Sequence, residues 1–189
     1  HTDEFGRVRV HFHWDRYDRM DEGSSCWIHV SQPWSGAGFG GINVPRVGQE
    51  VLVGFLGGDP DRPVVVGRVY TALQTPPYKL PEDKTKSGWR SQSSPGGGGY
   101  NELMMDDAAG KELLNLQAQR DLTKLVKNNE DVVVGNNLDE VIKNDRSETV
   151  GQNRQTIVGV NRMTAVGSVD EVRVRSEEHT SELQSLTNL

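Results

Sequence analysis

The chain has 189 residues, a net charge of −6 and one cysteine, Cys26. A single cysteine excludes an intrachain disulfide, the negative charge argues against nucleic acid as a partner, and no apolar run is long enough to span a membrane. All aromatic residues lie at or before Tyr100, so only the first part of the chain can build an aromatic-containing core.

The first part of the chain, residues 1–72, reads as a small β-domain. Apolar and polar residues alternate over 7–14, 26–30 and 47–55, and a fourth apolar run follows at 63–70. Turn-rich segments separate these runs, at 15–25, 35–41 and 57–63. Because closure removes exposed strand edges, four or five such short strands predict a closed barrel of the OB type.

Several groups of residues in this domain could bind a metal ion or another ligand, but a purely structural role explains each of them better. His11 and His13 share one face of a predicted strand, but no third metal ligand follows from spacing. The acidic loop that comes next is interleaved with arginines and lacks the glycine placement of a calcium loop; its carboxylates are Asp15, Asp18, Asp21 and Glu22. Residues 1–72 hold fewer basic than acidic residues, which disfavours an OB module that binds nucleic acid. We predict no metal, no cofactor and no catalytic residue.

Residues 73–100 are rich in Pro, Ser, Gly and Lys and are predicted to form a linker. The glycine run at 95–99 lacks the Lys and Ser/Thr of a phosphate-binding loop, so we interpret it as a flexible joint. The segment is too short for a hydrolase domain, and we predict that the chain is not an enzyme. Beyond it, residues 111–126 contain many residues that favour helices. Val126, however, is the first position of an eight-residue repeat of β-branched residues, and this repeat favours extended chain.

A strict eight-residue period runs through the last third of the chain. β-Branched residues recur at 126, 134, 142, 150, 158, 166 and 174, and four of them are followed by glycine. Valine and isoleucine suit strands, while Gly and Asn tolerate positive φ, so each octad reads as one short strand and one corner. A calcium-binding β-roll is excluded because its repeat has nine residues and carries aspartates.

The octads are too short and too polar to bury a core within one chain. Eight extended residues span at most about 27 Å, whereas one turn of a known solenoid uses roughly 20 to 29 residues. Three chains that contribute one octad each meet that requirement, so we predict an intertwined homotrimer over 101–175. The trimer core is predicted at Val134, Ile142, Val150, Val158, Val166 and Val174, and the turns at Gly135, Gly151, Gly159 and Gly167.

Four stretches together identify a family resemblance that covers about residues 5–174. These are GRVRVHFHWDR, SSCWIHVSQPWSGAGFGGINVPRVGQEVLVGFLGGDPDRPVVVGRVY, SQSSPGGGGYNEL and the V-G-x-N octads. They resemble VgrG, the valine-glycine repeat spike of the bacterial type VI secretion system, which is related to the cell-puncturing spike of contractile phage tails. The resemblance implies an all-β chain, an OB-fold barrel followed by a three-stranded β-helix needle.

The resemblance also implies function and partners. Such a trimer caps the inner secretion tube, carries a PAAR-type tip and effectors at its distal end, and is injected from the bacterial cytoplasm into a target cell. Alternatives are a phage tail spike, or a spike whose full-length form carries an enzymatic effector. We expect this chain to be a fragment that lacks the family's N-terminal hub, through which tube and baseplate are bound. Residues 176–189 resemble a translated sequencing adapter, and we expect them to be non-native or disordered.

Overall fold

A computed structural model describes residues 2–17 and 19–173 of the chain. The predictions for Asp18, Val174 and the tail 176–189 therefore lie outside the described residues. Within that part no α-helix forms, and nothing resembles an apolar helix of membrane-spanning length. The all-β prediction is confirmed. The strands are β1 His29–Val30, β2 Ser35–Gly36, β3 Phe39–Gly40, β4 Val51–Phe55, β5 Pro63–Arg68, β6 Lys86–Arg90, β7 Glu102–Asp106 and β8 Leu113–Gln117.

The first sheet has the order β1-β5-β4 and surrounds a small aliphatic core. Strands β4 and β5 form an antiparallel hairpin, and β1 pairs parallel with β5. Val8, Ile28 and Val65 are buried at its centre. Strand alternation points Val65 of β5 inward, and Val8 and Ile28, which form an isolated bridge, pack with it. Partly buried side chains complete this core: Val10, Phe12, Val30, Val44, Val51 and Val53.

Two local predictions for the first domain are wrong. The strand predicted over 7–14 is reduced to Val8, which bridges Thr2 and Ile28. The ladder stops there because the Val10 N–H donates to the Ser25 hydroxyl, at 3.0 Å, instead of to a neighbouring backbone carbonyl. The segment 35–41, predicted as a turn, contains the two-residue strands β2 and β3, which pair as a small hairpin.

A second antiparallel sheet, β6-β7-β8, follows the first. Its first strand lies inside the segment 73–100, for which the sequence predicts a linker. The sequence of β6, KSGWR, shows no apolar alternation because Gly88 occupies its centre. Gly88 has φ +150°, and a Cβ there would lie 2.2 Å from the carbonyl oxygen of Leu103. Glycine therefore allows β6 to approach β7 at this point.

Replacing Gly88 with alanine is expected to weaken the second sheet. Both the positive φ and the clash with the Leu103 carbonyl oppose a side chain, and we expect a loss of about 1–3 kcal/mol in the free energy of unfolding. Urea denaturation would measure it. Gly98→Ala is the matched control, because a Cβ at Gly98 meets nothing within 4 Å. Equal midpoints for the two variants would contradict the strain at Gly88.

The chain beyond β7 is extended, as predicted for residues 111–126. Strand β8 occupies part of that segment, and no helix forms in the remainder. From Ala118 to Arg173 no residue belongs to a strand, and every residue from Gln119 to Arg173 is exposed. The chain separates into compact units over His1–Lys127 and Asn128–Leu189. The proposed domain boundaries at 72, 100 and 175 stay predictions.

Candidate assembly surface

The extended part of the chain bends at regular intervals of eight residues. Bends occur at 119–120, 127–128, 135–136, 143–144, 151–152, 159–160 and 167–168. From the second bend onward, each one directly follows a β-branched register residue. The backbone therefore has the same period as the sequence, in a region where no strand pairing within the chain imposes it.

The register residues are shielded more than the other apolar side chains of the octads. Val126, Val134, Ile142, Val150, Val158 and Val166 are 41–50% exposed. The residues that immediately precede three of them, Val133, Val141 and Ile157, are 83–94% exposed. Since neighbours in an extended chain point to opposite sides, the register residues form one column along one side. Val174, the last predicted member of this column, lies outside the described residues.

The glycines predicted as turns lie at the bends, but the reason for glycine there is different. Gly135, Gly151, Gly159 and Gly167 are absent from the described glycines with positive φ. A Cβ at any of the four would meet nothing within 4 Å of its own chain. Lysines 127 and 143 occupy the same place in two other octads. The bends therefore do not require left-handed backbone, and the role of these glycines as needle turns stays a prediction.

Charged side chains link successive octads. Arg146 Nη1 lies 2.8 Å from Glu140 Oε2, and Arg154 Nη1 lies 3.2 Å from Glu148 Oε2. Arg146 also approaches Glu148, with 3.8 Å between Nη2 and Oε2. All four side chains remain substantially exposed, so each pair stabilises the chain little. These charged side chains therefore stay in contact with water.

Glu102 is a buried carboxylate that ties the three strands of the second sheet together. Arg90 on β6 donates from Nε to Glu102 Oε1 at 2.7 Å, and Asn115 on β8 donates to Oε2 at 3.3 Å. The Tyr78 hydroxyl adds a bond of 3.1 Å. The Arg90 guanidinium also stacks over the Tyr100 ring, 4.4 Å from its centroid. We missed this cluster because Arg90 and Tyr78 lie in the segment interpreted as a linker.

The hydrogen bond from Arg90 lowers the pKa of Glu102 below its usual 4.5, and burial opposes this shift. A carboxylate whose folded pKa is lowered stabilises the fold above its unfolded pKa and loses that contribution as pH falls through the folded pKa. We therefore expect the free energy of unfolding to decrease as pH falls below about 4.5.

The Glu102→Gln variant isolates this acid dependence. It cannot titrate at position 102, so its stability should fall less steeply with acid than that of the wild type. Denaturant unfolding across the acid range measures both slopes. Identical slopes would show that Glu102 does not carry the acid dependence.

The structure does not gather the candidate metal residues of the first domain into a site. Over residues 2–17 and 19–173, no three His, Cys, Asp or Glu side chains are grouped so that they could hold a metal ion. In the acidic loop, Asp21 Oδ1 accepts the Gly23 N–H at 2.7 Å, and Asp15 Oδ1 accepts the Tyr17 N–H at 2.9 Å. These two carboxylates thus cap local turns.

Two sequence families match the chain. Residues 1–70 match the family described as type VI secretion system/phage-baseplate injector OB domain. Residues 87–187 match the bacteriophage T4 gp5 C-terminal trimerisation domain. The second match includes the sheet β6-β7-β8, apart from its first residue Lys86, and all the octads.

Curated relatives are similar over about two thirds of the chain or more. The chain is 54% identical over 136 residues to the type VI secretion system spike protein VgrG1a of Pseudomonas aeruginosa, covering 71% of this chain and 21% of that protein. It is 48% identical over 134 residues to the spike protein VgrG3 of Vibrio cholerae, covering 71% and 13%. It is 52% identical over 128 residues to the actin cross-linking toxin VgrG1 of Vibrio cholerae, covering 68% and 12%. The chain thus spans about a fifth or less of the length of these relatives.

Proposed function

Since the chain belongs to the VgrG family of type VI secretion spike proteins, we propose that it forms the barrel and needle of a homotrimeric spike that punctures membranes. One observation supports this proposal most strongly. The chain bends every eight residues in a segment whose residues are all exposed. A segment in which every residue stays exposed gains little free energy to offset the conformational entropy lost on ordering. Two further copies would supply the missing contacts.

In this proposal the register column lines the threefold axis, with Val134, Ile142, Val150, Val158, Val166 and Val174 in the shared core. The bends at Gly135, Gly151, Gly159 and Gly167 turn the chain from one octad to the next. The charged residues from Glu140 to Arg154 would stay in contact with water. Each strand would pair with a strand of a neighbouring chain, so the needle has no open edge and resists axial force as one unit.

The partners follow from the family. The whole protein would cap the inner tube and bind the baseplate through a hub that precedes the barrel. It would carry a PAAR-type tip and effectors at its distal end, and would contact the target membrane only transiently. Assembly would take place in the bacterial cytoplasm, before sheath contraction injects the spike into the target cell. The match of residues 1–70 to an injector OB domain shared with phage baseplates supports this role and also favours a phage tail spike as the second candidate.

We propose a mechanical rather than an enzymatic role for these residues. The compared relatives include spike proteins and one toxin, and this chain spans only 12% of the toxin. The matched region is therefore the part that the toxin shares with the spike proteins. An effector domain elsewhere in the full-length protein would add its activity to the same needle.

A chimera tests the proposed function. The matched segment of Pseudomonas aeruginosa VgrG1a would be exchanged for the corresponding segment of this chain, in cells that lack their own copy of that spike. We expect the chimera to reach the culture medium when the sheath contracts, and to stay inside cells with an inactive sheath. Retention of a stable, folded chimera in both strains would contradict the spike function.

A further inference from the structure

Charge is distributed unevenly along the octads. Residues 149–169 contain two arginines, Arg154 and Arg162, and no carboxylate. The preceding stretch of equal length, residues 128–148, contains two basic residues and six carboxylates. Because the chain as a whole has a net charge of −6, residues 149–169 form a local positive segment in an acidic protein. We call this segment the cationic band.

Large apolar side chains are exposed within the cationic band. Ile157 is 83% exposed, Val160 89% and Met163 93%. None of the three belongs to the register column, so the proposed trimer core does not include them. Exposed apolar side chains together with arginines, without any carboxylate, are the composition of a surface that binds at the interface of an anionic bilayer.

The two arginines of the band differ in their partners. Arg154 Nη1 lies 3.2 Å from Glu148 Oε2, and since both side chains are exposed, water screens this pair. The place six residues before Arg162 is occupied by Thr156 instead of a glutamate. Over residues 2–17 and 19–173, no carboxylate lies within ion-pair distance of Arg162. Its charge is therefore available to a partner outside the chain.

We propose that the cationic band binds the anionic phospholipid headgroups of the membrane that the needle punctures. This inference rests on the proposed function and adds to it the lipid class and the residues in contact. Guanidinium groups donate paired hydrogen bonds to phosphate oxygens, and the apolar side chains enter the layer between headgroups and acyl chains. The same headgroups repel the carboxylates of residues 128–148, so binding is confined to the band.

A bilayer fits the band better than nucleic acid does. Both partners present phosphates, and arginine binds either of them. Nucleic acid, however, offers no hydrocarbon layer behind its phosphates. The exposed Ile157, Val160 and Met163 therefore favour the bilayer, and a DNA duplex serves as the competing ligand in the test.

Vesicle cosedimentation of the full chain tests the band. The trimer should sediment with vesicles of phosphatidylcholine and phosphatidylglycerol in equal parts, and stay in solution with vesicles of phosphatidylcholine alone. Arg154→Gln/Arg162→Gln should weaken binding at least about tenfold, because each arginine near an anionic surface contributes roughly fivefold. Lys143→Gln/Arg146→Gln is the matched control. It removes the same charge outside the band, so it should bind as the wild type does.

Thr156→Glu keeps the test decisive if the double variant of the band does not assemble. It places a glutamate six residues before Arg162, the spacing at which Glu140 pairs with Arg146 and Glu148 pairs with Arg154. The variant should therefore assemble, and the added carboxylates should weaken binding to the anionic vesicles.

Light scattering on the same samples separates this proposal from the proposed function. A wild-type trimer that does not bind the anionic vesicles, equal binding by the two double variants, or equally tight binding to a DNA duplex would overturn the role of the band alone. A wild-type chain that is monomeric and folded would instead overturn the proposed function.

Discussion

Replacing Val158 with aspartate is expected to abolish the trimer. In the proposed needle, one Val158 from each chain meets at a single level of the axis, between the levels of Val150 and Val166. Three carboxylates would then be buried together without partners, and each costs several kcal/mol even after relaxation. Light scattering should report a monomer, and circular dichroism should show loss of β-structure in the octads.

Ile157→Asp is the matched control for this variant. Ile157 is 83% exposed, and as the direct neighbour of Val158 in extended chain it points to the opposite side. Three added aspartates at position 157 should therefore leave the trimer intact. If Val158→Asp assembled with unchanged stability, or if both variants lost the trimer equally, the assignment of the register residues to the axis would be wrong.

Replacing Arg90 with leucine is expected to destabilise the second sheet. The variant leaves the Glu102 carboxylate buried without its strongest hydrogen-bond donor, and only Tyr78 and Asn115 still donate to it. A buried acceptor that loses its partner costs about 1–3 kcal/mol, and more when it is charged. Urea denaturation would show this as a lower midpoint.

The double variant Arg90→Leu/Glu102→Leu separates the loss of the ion pair from the loss of packing. Removing both partners leaves no unpaired charge, so the double variant should recover much of the stability that the single variant loses. If Glu102→Leu lowered the stability of the Arg90→Leu variant by as much as it lowers that of the wild type, the two residues would act independently. That result would contradict the role of Glu102 as the central acceptor.

The period of the needle could be predicted from the sequence because it depends on local residue type. β-Branched residues at a strict interval of eight are visible without any long-range contact, and the bends in the structure follow the same interval. The reason for glycine at the bends could not be predicted in this way. Backbone φ depends on how sharply the chain turns, and the bends at Lys127 and Lys143 show that no left-handed residue is needed there.

The second sheet could be predicted only in part. The extended chain predicted over 111–126 accounts for strand β8. The sequence of β6 shows no apolar alternation, and this strand is stabilised by its pairing with β7. In the Glu102 cluster, the partners Arg90, Asn115 and Tyr78 lie 12, 13 and 24 positions from Glu102 in the sequence. Such pairings depend on strand register, which composition does not reveal. The prediction of a strand over 7–14 is wrong for a similar reason. The Val10 N–H donates to the Ser25 hydroxyl, and this hydrogen bond ends the strand pairing.

The solution mass of the chain tests most directly whether three copies share one core. Size exclusion coupled to light scattering, with circular dichroism on the same fraction, measures mass and fold together. The shared core predicts a β-rich particle with a mass three times the 21.0 kDa of the chain. A folded particle of 21.0 kDa with ordered octads would mean that the register column is covered within one chain, and would contradict a core shared by three copies.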